Sequence, residues 1–76
     1  MIGRNVEVLM QLMGWTQREL GEQVGASQST VCGWISGVRP IRDEHRDRLA
    51  RVFSLRRETL EDDELVERVL DYLTTP

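Results

Sequence analysis

Apolar residues recur along this chain at helical spacing, in segments of roughly ten residues separated by glycine, proline or polar breaks. The breaks fall at Gly14, Gly25, Gly37-Val38-Arg39-Pro40 and Ser54–Glu58. No stretch alternates apolar and polar residues long enough to make a strand, so the pattern predicts an all-α fold of five helices. The first, over about residues 2–13, places Ile2, Val6, Leu9 and Met13 on one face, with Val8 and Leu12 as a narrower second stripe. The second follows Thr16, because Thr16-Gln17-Arg18-Glu19 fits a capping box; Leu20 and Val24 form its buried side and Gly25 ends it. The third starts at the N-cap Ser27 and runs to Ser36, where Gly37 stops it. The fourth spans Asp43 to Phe53 and buries Leu49, Val52 and Phe53. The fifth, about residues 59–73, carries Leu65, Val66, Val69, Leu70 and Leu73, and Glu61-Asp62-Asp63-Glu64 reads as its first turn, where carboxylates favour the helix dipole.

Only Gly25 and Ala26 separate the second and third helices, too few residues for an antiparallel hairpin. The two must cross steeply, which makes residues 17–36 a helix-turn-helix. Small residues suit that geometry: Gly21 faces the crossing point, Gly25 turns the chain and Ala26 fits beneath it. Leu20, Val24, Val31 and Ile35 close the angle from inside, with Trp34 on one flank.

On the third helix, Gln28, Ser29, Cys32, Gly33 and Ser36 share one side, opposite Val31 and Ile35. All are small or neutral hydrogen-bonding residues, whereas a solvated helix face ordinarily carries charge. Such a face can approach base edges in the major groove, where glutamine pairs with adenine and a hydroxyl serves several bases.

The charge balance bears on that expectation. The 76 residues hold 10 basic and 13 acidic side chains, a net charge of −3, and every basic residue is arginine. An acidic chain is a poor electrostatic partner for nucleic acid. Here, however, the acidity lies mainly at the end: residues 1–55 carry seven arginines against six acids, and residues 56–76 three against seven. No carboxylate occurs between Gln23 and Arg42, a window that contains Arg39 and Arg42, with Arg18 just before it. Helix starts at Gln17 and Gln28 add backbone N–H donors for phosphate without formal charge.

In the same region, Gly14-Trp15-Thr16-Gln17, Glu19-Leu20-Gly21, Val24-Gly25-Ala26-Ser27-Gln28-Ser29-Thr30-Val31, Trp34, Gly37 and Pro40 together resemble the Cro and lambda-type phage repressor family of helix-turn-helix DNA-binding domains. The resemblance covers about residues 2–55. It departs where Gly21 replaces the family's common alanine, and the stretch from Pro40 to Ala50 is one residue longer than usual. It implies a five-helix, lambda-repressor-like domain that regulates transcription by occupying an operator on double-stranded DNA. By the same resemblance Gln28 is the main base reader and Ser29 a second, with Cys32 and Gly33 at base-reading positions that often carry larger side chains. Gln17 is implied as a phosphate anchor. Arg18, Ser36, Arg39 and Arg42 complete the expected phosphate-binding set.

The chain thus divides into a DNA-binding unit over 1–55 and an acidic amphipathic helix over 56–76. The apolar stripe Leu65, Val66, Val69, Leu70, Leu73 must be buried. It either folds back on Val8 and Leu12 or meets its own copy in a homodimer on a palindromic site, the favoured reading. The acidic last helix also supports a rival: an antitoxin or anti-repressor that uses this fold on a protein partner.

Enzymatic chemistry is hard to place. One histidine, one cysteine and no Gly-rich phosphate loop leave neither a catalytic cluster nor a metal site, and no cofactor or small-molecule substrate is expected. His45 reads as a solvated surface residue, Cys32 as a small neutral contact rather than a redox sensor, and Trp15 and Trp34 as core. No apolar run is long enough for a membrane span, and the start lacks a signal peptide's apolar region, so a cytoplasmic protein is expected.

Overall fold

The computed structural model describes residues 1–75. Within them the chain forms six helices: α1 (Ile2–Leu12), α2 (Gln17–Val24), α3 (Gln28–Ser36), α4 (Asp43–Val52), α5 (Arg57–Leu60) and α6 (Leu65–Thr74). The molecule measures 38 × 23 × 22 Å.

Local signals set the first half. Thr16 and Glu19 complete the capping box: the Glu19 N–H donates to Thr16 Oγ1 at 3.1 Å, and the Thr16 N–H donates to Glu19 Oε1 at 3.0 Å. Gly25 ends α2 at φ 72°, and Gly37 ends α3 at φ 81°, both in the left-handed region that a Cβ disfavours. Ser27 caps α3 by accepting from the Thr30 N–H.

The core gathers Val6 and Met10 of α1, Leu20 and Val24 of α2, Val31 and Trp34 of α3, Ile41, Leu49 and Ala50 around α4, and Leu60 of α5. Trp15 and Phe53 pack at its edge, with ring centroids 6.0 Å apart. On α1, the inward side falls on Gly3, Asn5, Val6 and Met10. Met13, expected inside, is half exposed because it caps the helix instead of continuing its buried turn.

Two glycines set helix spacing. A Cβ on Gly21 would meet the Ala26 carbonyl oxygen, and one on Gly3 the Trp34 carbonyl oxygen. The first brings α2 against the turn before α3; the second brings α1 onto the end of α3.

The expected fifth helix is two. Asn5, buried in α1, donates both amide hydrogens: Nδ2 lies 2.8 Å from Leu60 O and 2.8 Å from Asp62 O. In an unbroken helix those carbonyls would accept from Glu64 and Val66. The Glu64 N–H turns instead to the Asp62 carboxylate at 2.9 Å. Glu61–Glu64 is therefore an inter-helix turn rather than the first turn of a helix. Since Leu60 is fully buried with the α1–α4 residues, the packed unit runs past residue 55.

Arginines clamp α5 to α4. Arg57 bonds Asp43 at 2.5 Å and Asp47 at 3.3 Å, while Arg46 bonds Glu61 at 2.6 Å and the Ile41 carbonyl at 2.7 Å. The hydrogen bond from Arg46 is the main reason the Glu61 carboxyl is held below the usual range; burial opposes it and Arg57 adds to it. Of the α6 stripe, Leu65 is buried and Val66 and Val69 half-buried, but Leu70 and Leu73 are more than half exposed.

Candidate nucleic-acid interface

The turn between α2 and α3 leaves one side of α3 facing outward. Gln28, Ser29, Cys32 and Ser36 are exposed there, and Val31 is fully buried on the inner side. Ile35 is half-buried at the border, because seven residues from Gln28 amount to nearly two whole turns.

Gly33 is not part of the open face. It is buried, and a Cβ there would lie 2.7 Å from Arg39 Cδ and 2.8 Å from Arg39 Cγ. The loop after α3 folds back: the Arg39 N–H donates to Gly33 O at 3.0 Å and the arginine stem lies over the glycine. The expected base-reading role of Gly33 is thereby corrected. Gly33 is the seat of Arg39, and the spacing on α3 could not show a loop returning to cover it.

The expected phosphate-binding residues flank this face unequally. Gln17 is half-buried at the first position of α2, and Arg18, on the same helix, pairs with Glu22 at 3.4 Å. Ser36 donates its hydroxyl to Gly33 O at 3.3 Å. Arg39 reaches toward Thr30 Oγ1 at 3.5 Å, and Arg42 stands exposed at the N-cap of α4. Among the described residues neither Arg39 nor Arg42 has a carboxylate partner, in contrast to Arg46 and Arg57. Two guanidiniums beside α3 are thus left for an external anion.

Acidic residues of the last segment are partly neutralised within the chain. Arg68 bonds Asp62 at 2.5 Å and Glu64 at 3.2 Å, and the Met1 amine pairs with Asp63 at 3.2 Å. Their charge lies at the α1–α6 end rather than on α3.

His45 is not the solvated residue that its charged surroundings suggest. Half-buried, it sits against Trp34 with ring centroids 5.0 Å apart, and the two line a notch with Thr30, Arg39, Pro40 and Arg42. The spacing of eleven residues between Trp34 and His45 carries no signal of that contact. Trp34 itself is core, as expected.

No helix among the described residues is long and apolar enough to cross a membrane. They contain no group of three or more His, Cys, Asp or Glu side chains able to hold a metal ion.

No curated protein and no solved structure matches the chain. A family profile described as "Helix-turn-helix" matches residues 7–60, which takes in α2, α3 and α4 and ends on Leu60 of the core. With that match and an all-helical fold whose α3 presents an uncharged outer face, the chain belongs to the helix-turn-helix family of lambda-repressor and Cro type, and is a regulator that binds double-stranded DNA.

Proposed function

We propose that the chain is a phage or prophage repressor, or a Cro-like protein, that blocks transcription by occupying an operator. The observation that carries this reading is the exposed, uncharged outer face of α3 beside two arginines that have no carboxylate partner among the described residues. In this reading α3 enters the major groove. Gln28 reads an adenine edge, Ser29 contacts a neighbouring base, and Cys32 packs as a small neutral contact. Gln17, Arg18, Ser36, Arg39 and Arg42 hold the phosphates on either side, Arg18 after giving up Glu22.

Selection of bound sequences from a random duplex pool would give the operator. On it, Gln28→Ala is expected to cost ~1–3 kcal/mol and to relax preference at one base position. Arg39→Ala and Arg42→Ala should weaken cognate and scrambled duplexes alike, each flattening the log–log salt slope by about one from a starting value of roughly −3 to −5 per subunit. Equal losses on both duplexes for Gln28→Ala would overturn its role.

The same proposal takes the active form to be a homodimer on a palindromic site. Leu70 and Leu73 complete the stripe whose first turn is already buried, and they are exposed in a single chain. A second copy is the occupant favoured here because a two-fold pair of α3 helices gains affinity without further base contacts. Sedimentation velocity at micromolar concentration should give a dimer for the natural chain and a monomer for Leu70→Asp with Leu73→Asp. A natural chain that remains monomeric alone and on its operator would sink the dimer, and a selected site without symmetry would agree.

A further inference from the structure

The notch between α3 and the head of α4 has a volume of about 200 Å³ and is lined by Thr30, Trp34, Arg39, Pro40, Arg42 and His45. Its lining holds two guanidiniums, a hydroxyl and an imidazole, and no carboxylate. That is the chemistry of an oxyanion seat. Trp34 forms an apolar wall against the His45 ring, with ring centroids 5.0 Å apart. The α4 N-terminus opens beside it, with Arg42 at the N-cap and no side chain bonded to the free N–H groups.

The nearby charges are accounted for. Arg39 faces the notch from the loop and Arg42 from the start of α4. On α4 itself, Asp43 and Asp47 are held by Arg57, Arg46 is turned to Glu61 and to the Ile41 carbonyl, and Arg48, one turn on from His45, donates to the Val24 carbonyl at 3.3 Å. Glu44 is exposed next to His45 but does not line the notch. The terminal amine of Met1 is engaged with Asp63.

We propose that this notch seats one phosphate of the DNA backbone, with His45 as its proton-dependent ligand, so that affinity for DNA rises as pH falls. The inference rests on the DNA-binding reading and adds to it a residue and a regulation. Imidazole is the side chain whose charge ordinarily changes between pH 5 and 8. A phosphodiester between Arg39 and Arg42 stabilises the protonated ring, and binding then draws a proton from solvent onto it. Neutral imidazole can donate one hydrogen bond to the phosphate; the cation adds a charge contact.

The chain has one histidine, so its ring protons give one set of NMR signals to follow. Titrated with and without a random 16-base-pair duplex lacking terminal phosphates, His45 should show a higher midpoint in the complex. Fluorescence anisotropy with that duplex, at constant ionic strength from pH 7.5 to 5.5, should tighten about two- to fivefold, the worth of one partly exposed charge contact. The salt slope should steepen toward low pH by up to about one. His45→Phe keeps a ring against Trp34 but loses the donor, so it should bind more weakly than the natural chain at every pH; His45→Gln keeps a donor and should lie between the two; both should fold and lose the pH response. An unchanged midpoint in the complex, or the same pH response in both variants, overturns the role of His45 while leaving DNA binding intact. A chain that binds no duplex at any pH overturns the DNA-binding reading and this inference with it.

Discussion

Asn5→Ala is expected to lower the free energy of unfolding by about 1–3 kcal/mol, since it leaves the buried Leu60 carbonyl without a donor and removes one of the two donors to Asp62 O, the other being the Leu65 N–H. Stability of a 76-residue domain is on the order of 4–11 kcal/mol, so the loss is a large fraction of the total. The side chain is 1% exposed and its amide bonds Leu60 O and Asp62 O, residues 55 and 57 positions away. No other side chain described here joins α1 to the α5–α6 turn through backbone acceptors. Asn5→Leu should do no better, because filling the space still leaves the Leu60 carbonyl unpaired. Urea titration followed by circular dichroism checks both variants. A loss below about 1 kcal/mol would mean that water replaces the amide at little cost.

Gly3→Ala and Gly21→Ala should each destabilise by about 1–3 kcal/mol, against the usual trend for helix positions. In a helix interior, alanine normally gains up to about 1 kcal/mol over glycine. Here the new methyl would run into backbone, the Trp34 carbonyl from Gly3 and the Ala26 carbonyl from Gly21, and backbone yields only if whole helices separate. The alanine common in the family at the Gly21 position would here meet the Ala26 carbonyl oxygen. Gly33→Ala makes the contrast: its obstacle is the Arg39 side chain, so it should cost less stability but shift Arg39 and weaken DNA binding. Thermal melts of the three variants, with duplex binding of the third, test the pattern. Stabilisation by Gly3→Ala or Gly21→Ala would contradict the close crossings.

What could be read from the sequence was what short-range chemistry encodes. The capping box at Thr16, the turn at Gly25 and the cap at Ser27 all act within a few residues, and α2 and α3 begin and end where those signals put them. The long-range features were hidden. Asn5 looks like one polar residue in an amphipathic helix until the chain returns to it. The acidic run Glu61–Glu64 suits either a helix start or a turn, and the capture of the Leu60 carbonyl by Asn5, with the Glu64 N–H turned to the Asp62 carboxylate, decides between them. Gly33 and His45 are hidden for a related reason: their surroundings come from a loop and a neighbouring helix, which periodicity on a single helix does not register.

The anchoring of Arg39 has a consequence for how this surface meets its target. With its backbone N–H on Gly33 O and its stem laid across that residue, the segment after α3 travels with α3 as one stiff piece. In the proposed interface the backbone that carries Arg39 is therefore already in register with α3, and less backbone freedom is left to be frozen out on docking. If Gln28 and Arg39 act as proposed, such a site discriminates by geometry: a groove of the wrong width would not satisfy the glutamine and the guanidinium together.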